Sequence, residues 1–256
     1  QAIGIGLNAG LADEFNELTG RLQTTEEVRR RFVSDASHEL KTPLASIRLL
    51  TDSLLQADHM DGETAREFLN DIGDEADRLT RITEKLLTLT RLDTAPAAED
   101  VPVDVGAVVE RVEHMLSPLA RAVEVSLELK LQPGCVVLAT EDDLYQIAFN
   151  LMENAVKYNL PGGRVLVTLT ADGGRVVLRV EDTGVGIPEA DLPKIFDRFY
   201  RVDKARSRAA GGTGLGLSIV SDTVKRRGGT VEAANRPEGG SVFTVRWPAA
   251  KGGDAV

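Results

Sequence analysis

The 256 residues allow one or two domains, and 42% hydrophobic with 27% charged content is the balance of a globular protein rather than a disordered chain. A formal net charge of −10 with a pI near 4.9 argues against a nucleic-acid surface, which needs Lys and Arg concentrated on one face; here only short stretches such as Arg29 to Arg31 supply them. No run reaches the roughly eighteen apolar residues that span a bilayer, no signal peptide is visible, and the single cysteine, Cys135, fits a reducing cytosol.

Leu11, Phe15, Leu18, Leu22, Thr25 and Phe32 begin a three-four apolar spacing, which reads as a signalling rod or a dimerising coiled coil. Val33, Ala36, Leu40, Ile47, Leu50 and Leu54 continue it, so the spacing predicts one long helix with a buried stripe. His38 falls opposite that stripe. Thr42, four residues on, shares its outer face, and Glu39 stands one step round. A surface histidine needs no function to be tolerated there, yet Pro43 costs about 3 kcal/mol in a helix interior and predicts a bend one turn beyond His38. The pattern therefore suggests a solvent-facing nucleophile with a neighbouring carboxylate.

Ala57 to Glu63 reads as a loop, and Leu69, Ile72, Ala76, Leu79, Thr83 and Leu86 place a second helix ending near Leu92, its stripe widened by Phe68, Ile82 and Leu89. Such a hairpin cannot cover both its apolar faces, so a four-helix homodimer is expected. Thr94 to Pro102 has linker composition. Beyond it, strands are predicted at Val123–Leu129, Val136–Ala139, Val165–Thr170, Val176–Val180, Thr230–Ala233 and Val242–Trp247. Helices are predicted near Val105–Ala120, Glu141–Tyr158 and Leu215–Arg227, giving an α/β sandwich with helices on one sheet face. Gly173-Gly174 and Gly239-Gly240 read as hairpin turns, and Cys135 opens an apolar run that reads as a buried strand.

The second domain has neither GxxxxGK[ST] nor GxGxxG, which excludes the P-loop and Rossmann sites, but it carries DTGVGI (182–187) and GGTGLGLSIV (211–220). Alternating glycines let backbone amides converge on an anion, and the second string runs into a helix N-terminus. NLMENAVKY (150–158) puts Asn150, Asn154 and Lys157 near one helix face, with amide oxygens suited to Mg²⁺ and a cation suited to phosphate; Tyr158 offers an aromatic face to a base. FDRFYR (196–201) reads as part of a mobile flap running to Gly214.

Over nearly its whole length the chain resembles the catalytic core of a bacterial sensor histidine kinase. HELKTPL is similar to that family's phosphoacceptor box, NLMENAVKY to its asparagine box, DTGVGI and GTGLGL to its glycine boxes, and FDRFYR to its phenylalanine box. DEFNELTGRL resembles the end of a HAMP signalling module. The resemblance implies an α+β chain: residues 1–26 a signalling helix, 27–93 a dimeric helical hairpin for phosphotransfer, 94–102 a linker, 103–250 an ATP-binding domain of the histidine kinase, gyrase and Hsp90 type, and 251–256 a tail.

It further implies that His38 takes the γ-phosphoryl group of ATP, Glu39 acts as base and Thr42 positions water for phosphatase activity. Asn154 would hold Mg²⁺ with support from Asn150, and Asp182 would accept from the adenine amino group. Gly184, Gly186, Ile187, Thr213, Gly214, Leu215 and Gly216 would shape the nucleotide pocket; Lys157, Arg198 and Arg201 would neutralise phosphate, beside Tyr158. The partners implied are a response regulator receiver domain and a second copy of the chain, with the full protein anchored on the cytoplasmic side of the inner membrane. Two other readings compete: an ATP-hydrolysing machine resembling gyrase, Hsp90 and MutL, and a nucleotide-binding scaffold without turnover. The first needs a glutamate where this chain has Asn150, and an amide is no general base.

Overall fold

The structure, a computed structural model, describes residues 2–57, 61–94, 99–203 and 212–250. The chain divides into two units, the first running to Ile82 and the second starting at Thr83. The first is helical. Helix α1 (Ala2–Gln56) is one unbroken 55-residue helix, as the continuous three-four spacing predicts. Its outward hydroxyls turn back on the helix: Ser37, Thr42, Thr51 and Ser53 each donate to the carbonyl four residues earlier. Pro43, where a bend is predicted, lies buried within this helix, because it occupies a position of the apolar stripe itself.

Helix α2 (Gly62–Thr94) begins where Asp61 caps it: Asp61 Oδ1 accepts from the Glu63 and Thr64 amides at 3.0 and 2.8 Å. The Thr64 hydrogen bonds hold the Asp61 carboxyl below its ordinary value. The cap's contribution is therefore present above the usual carboxylate range and fades as pH falls through the lowered value. Residues 58–60 of the predicted loop lie outside the described residues. Arg78 of α2 reaches Glu39 of α1 at 3.7 Å, and the two positions are almost symmetric about the connection, as an antiparallel hairpin requires. Burial along α2 centres on Arg78 and on Ile82 and Leu89, two of the residues predicted to widen its stripe, whereas Leu69, Ala76 and Thr83 of the predicted line are exposed. Besides the seam between them, each helix carries a second, exposed apolar seam, including Val33 and Leu44 on α1 and Leu69 on α2, at 55–61% exposure.

The second unit is α/β. Strand β1 (Val101–Asp104) pairs antiparallel with β3 (Val136–Ala139). It begins inside the stretch read as linker; four residues, one of them Pro102, give too short an alternation to distinguish from a loop. The main sheet is ordered β2-β4-β5-β7-β6 from β2 (Ser126–Leu131), β4 (Arg164–Asp172), β5 (Arg175–Asp182), β6 (Thr230–Asn235) and β7 (Ser241–Pro248). All pairs are antiparallel except β2 with β4. The Gly173-Gly174 and Gly239-Gly240 pairs make the two predicted hairpin turns, all four at positive φ.

Helices α3 (Val105–Ala122), α4 (Glu141–Lys157) and α5 (Gly216–Arg226) pack their apolar stripes with the inward residues of the sheet. Asp104 caps α3 and Thr140 caps α4 through the amides of Gly106 and Asp143. Val165, Val167, Leu169, Val176, Leu178 and Val180 supply the alternating inner face, each contributing about 1.5–3 kcal/mol on full burial. Cys135 is buried immediately before β3 rather than within it.

Arg227, just past α5, ties this unit's ends together. Its side chain is 2% exposed and pairs with Asp143 at the start of α4, at 2.6 Å, and with Asp100 ahead of β1. Arg227→Met leaves Asp143, 22% exposed, without its cation, and is expected to lower the stability of this unit by about 1–2 kcal/mol. Urea unfolding followed by the fluorescence of Trp247, the chain's one tryptophan and a core residue of β7, measures it.

Candidate active site

Two sets of reactive side chains stand on different units. On α1, His38 is exposed, as its place opposite the stripe predicts, and Thr42 Oγ1 donates to the His38 carbonyl at 3.2 Å. Glu39, one residue on, is half-buried toward α2, where Arg78 is 92% buried by its 8% exposure. The histidine is thus accessible while its neighbouring carboxylate is held in the hairpin.

On the second unit a cavity of about 390 Å³ opens between α4, the segment after β5, the Tyr200–Asp203 segment and the start of α5. That volume lies in the range of small-molecule sites. Asp182 forms its inner end. The alternation Val176, Leu178, Val180, Asp182 keeps the carboxylate on the buried face of β5, at 4% exposure. Asp182 Oδ1 accepts from the Gly184 and Ser241 amides at 2.8 and 3.2 Å, and Oδ2 accepts from the Ser241 hydroxyl. Three of about four acceptor positions are used, which leaves capacity for one more donor. Ile187 and Phe243 add apolar wall, and Tyr158 an aromatic one.

The rest of the lining is polar, with charges of both signs: the carboxylates of Glu153 and Asp203 stand among its cations and amides. Asn154, Lys157, Arg201, Thr213, Gly214 and Gly216 all face the cavity, together with Lys85 from α2. Lys157 pairs with Glu153 at 2.8 Å, and Arg201 donates to the Gly212 carbonyl. Gly214 has φ +71°, and a Cβ there would stand 2.8 Å from the Phe199 backbone; Phe199, itself at φ +63°, donates its amide to the Gly214 carbonyl at 2.8 Å. At Gly216 a Cβ would stand 2.8 Å from Asn150 Oδ1. The string thus brings the α5 N-terminus close against α4, with backbone amides and the helix dipole directed at an anion.

Four of the predicted residues do not line the cavity. Asn150 is 2% exposed behind Gly216 and donates to the Gln146 carbonyl at 2.7 Å. Leu215 is fully buried, and Gly184 acts through its amide on Asp182. Arg198 turns to Asp93 and Asp222, at 2.9 and 3.0 Å, and the Asp93 hydrogen bond raises its pKa. The predicted flap lies in part, at residues 204–211, outside the described residues, as do 95–98 of the linker and the 251–256 tail.

The sequence reading missed several supports. Ser241 follows the Gly239-Gly240 turn, and only the pairing of β5 with β7 brings it to Asp182. Asn235 clamps Ile187 on both sides, accepting from its amide at 2.8 Å and donating to its carbonyl at 2.6 Å. Tyr200 donates to Asp191 at 2.6 Å, which raises its pKa and fixes its ring at the cavity. Among the described residues no group of three or more His, Cys, Asp or Glu side chains could hold a metal ion.

Residues 28–95 match the His Kinase A (phospho-acceptor) domain, and residues 139–251 match the histidine kinase-, DNA gyrase B- and HSP90-like ATPase family. The chain is 40% identical over 250 residues to the probable sensor histidine kinase TcrY of Mycobacterium tuberculosis, covering 96% of this chain and 51% of TcrY. It is 37% identical over 224 residues to the sensor-like histidine kinase SenX3 of Mycolicibacterium smegmatis, covering 87% of this chain and 58% of SenX3. The chain therefore spans little more than half the length of these relatives. Among solved structures, full-length ShkA in complex with AMPPNP is 30% identical, with a TM-score of 0.64, over 90% of this chain and 47% of ShkA.

Gly216→Ala tests the cavity's rim without touching its chemistry. The added methyl must push α5 from Asn150, and ATP affinity is expected to fall about tenfold, or 1.4 kcal/mol, with the melting transition lowered by a few degrees. Titration calorimetry of both proteins measures the difference.

Proposed function

Because this chain belongs to the sensor histidine kinases, we propose that it is a kinase core that binds Mg-ATP, autophosphorylates His38 and passes the phosphoryl group to an aspartate of a response regulator receiver domain. One observation carries the reading: a buried carboxylate with acceptor capacity to spare lines a cavity that also holds Asn154, Lys157, Arg201 and the glycine string at a helix N-terminus, in a chain whose exposed histidine lies on a separate helical unit. The adenine amino group is the donor that Asp182 awaits, and Tyr158 and Ile187 flank the base. Lys157 and Arg201 offset phosphate charge, and Arg198 joins them when its pairs with Asp93 and Asp222 open.

Asn154 would hold Mg²⁺ together with phosphate oxygens, and the ion would lower the charge opposing attack on the γ-phosphorus. In the transfer, the imidazole nitrogen of His38 forms a bond to that phosphorus as the bond to the ADP oxygen breaks, and Glu39 takes the imidazole proton. Thr42, on the same outer face, suits the positioning of water in a phosphatase reaction on the phosphorylated regulator. The half-exposed second seam of α1 and α2 suits a homodimeric four-helix bundle, and the N-terminal turns suit the end of a HAMP module in a membrane-anchored protein. Among the described residues no helix is long and apolar enough to cross a membrane.

Incubation with γ-labelled ATP and Mg²⁺ is expected to place acid-labile label on the wild-type chain. His38→Gln should carry none above background, while binding ATP with unchanged affinity. Label that survives acid, or that persists on H38Q, would remove His38 as acceptor.

A further inference from the structure

The buried cation beside the histidine has no role in the function just proposed. Arg78 is 8% exposed in the seam of the hairpin, and its Nε and Nη2 make no hydrogen bond among the described residues. Its charge is met by two carboxylates: Glu75, one turn earlier, accepts a long hydrogen bond from Nη1 at 3.5 Å, and Glu39 lies across the seam at 3.7 Å from Nη2. Their side chains are 26% and 22% exposed. A buried guanidinium so loosely paired is costly, and an apolar residue of the same volume would pack this seam at least as well. The cation is therefore poorly explained by stability. Its cross-helix partner is the carboxylate adjoining the exposed histidine.

We propose that Arg78 is a positioning residue: through Nη2 and Oε2 it holds the Glu39 carboxylate for proton removal from His38. The gap of 3.7 Å exceeds a hydrogen bond of about 2.7–3.2 Å, so a small rotamer change of either side chain closes it. The helix beneath Glu39 permits such a change, because Pro43 has no N–H to donate to the Glu39 carbonyl four residues before it. A planar fork anchored in the seam fixes the carboxylate far better than a solvent-facing cation, whose position would be averaged over many rotamers. The inference rests on the reading of Glu39 as the base, and deepens it by naming what orients that base.

Autophosphorylation of the full chain tests it in four variants: Arg78→Met, Arg78→Lys, Glu39→Gln and the double variant Arg78→Met/Glu39→Gln. R78M is expected to lower kcat about tenfold to a hundredfold, as misplacement of a reacting group does, with KM for ATP within about twofold of wild type. R78K should recover part of the loss. The double variant should label no more slowly than E39Q, because a group that acts through Glu39 has nothing left to position.

An R78M chain labelling at the wild-type rate overturns the proposal, as do losses that multiply in the double variant or a rise in KM that accounts for the whole effect. Where helical circular dichroism shows that R78M does not fold, R78K and the R78K/E39Q pair decide by the same criteria. E39Q labelling at the wild-type rate overturns the positioning role while leaving His38 phosphorylation standing. A wild-type chain that takes no label overturns the function itself, and the role of Arg78 with it.

Discussion

The second unit is organised around a carboxylate placed where a strand would otherwise bury an aliphatic side chain. Asp182 occupies the fourth inward position of β5 after Val176, Leu178 and Val180, so strand register alone drives it out of water. A buried carboxylate without donors is among the most expensive groups a core can hold. The surroundings answer that demand: the Gly184 amide turns back on it, and the Gly239-Gly240 hairpin delivers both donors of Ser241. Arg236 then donates to the Asp182 carbonyl at 2.9 Å, which locks the same hairpin against the strand end. The cavity is the space left when a carboxylate is satisfied from one side only.

Its far wall is set by a different constraint. The 196–201 segment folds onto the second glycine string through the Phe199 amide, at a backbone angle that a phenylalanine adopts only when its surroundings impose it. Gly214 tolerates that approach because it lacks a Cβ, and Tyr200 is secured by Asp191. Arg198 is drawn away from the cavity by two carboxylates, one of them near the C-terminal end of α2. Phosphate would have to compete with both aspartates for this guanidinium, so binding of a polyanion through Arg198 and formation of the Asp93 pair oppose each other, and the one favours release of the other.

How much of this is written in the chain depends on distance along it. His38 and Thr42 are legible because helical periodicity fixes which face a residue takes, and the same periodicity puts α1 through its full length. Asn154, Lys157 and Gly214 are legible for a similar reason: each lies in a short string whose geometry is local. Ser241, Asn235 and Arg227 are not, since their partners lie 48 to 127 residues away and only sheet order brings them together. The α2 seam is legible in part: Ile82 and Leu89 belong to the apolar pattern and are buried, but a hydrophobic pattern cannot show that a charged residue, Arg78, is buried one turn before them. Asn150 shares the asparagine string with Asn154, but it is buried behind Gly216 and donates to the Gln146 carbonyl, a placement that the string itself does not reveal.

That placement of Asn150 bears on which chemistry the cavity supports. A nucleotide site that hydrolyses its own ligand needs a base at the cavity to deprotonate water. At this position the chain has an amide, turned to the Gln146 carbonyl and screened by α5, so it neither accepts a proton nor reaches the solvent that would enter with ATP. Glu153 lies at the cavity, but its carboxylate is engaged by Lys157. Among the described residues, then, neither Asn150 nor Glu153 is a free base at the cavity. On the proposed reading the missing base is carried by Glu39, which is covalently tied to the acceptor and arrives only when the acceptor does. Placing base and acceptor on one helix, away from the nucleotide, couples consumption of ATP to the arrival of His38.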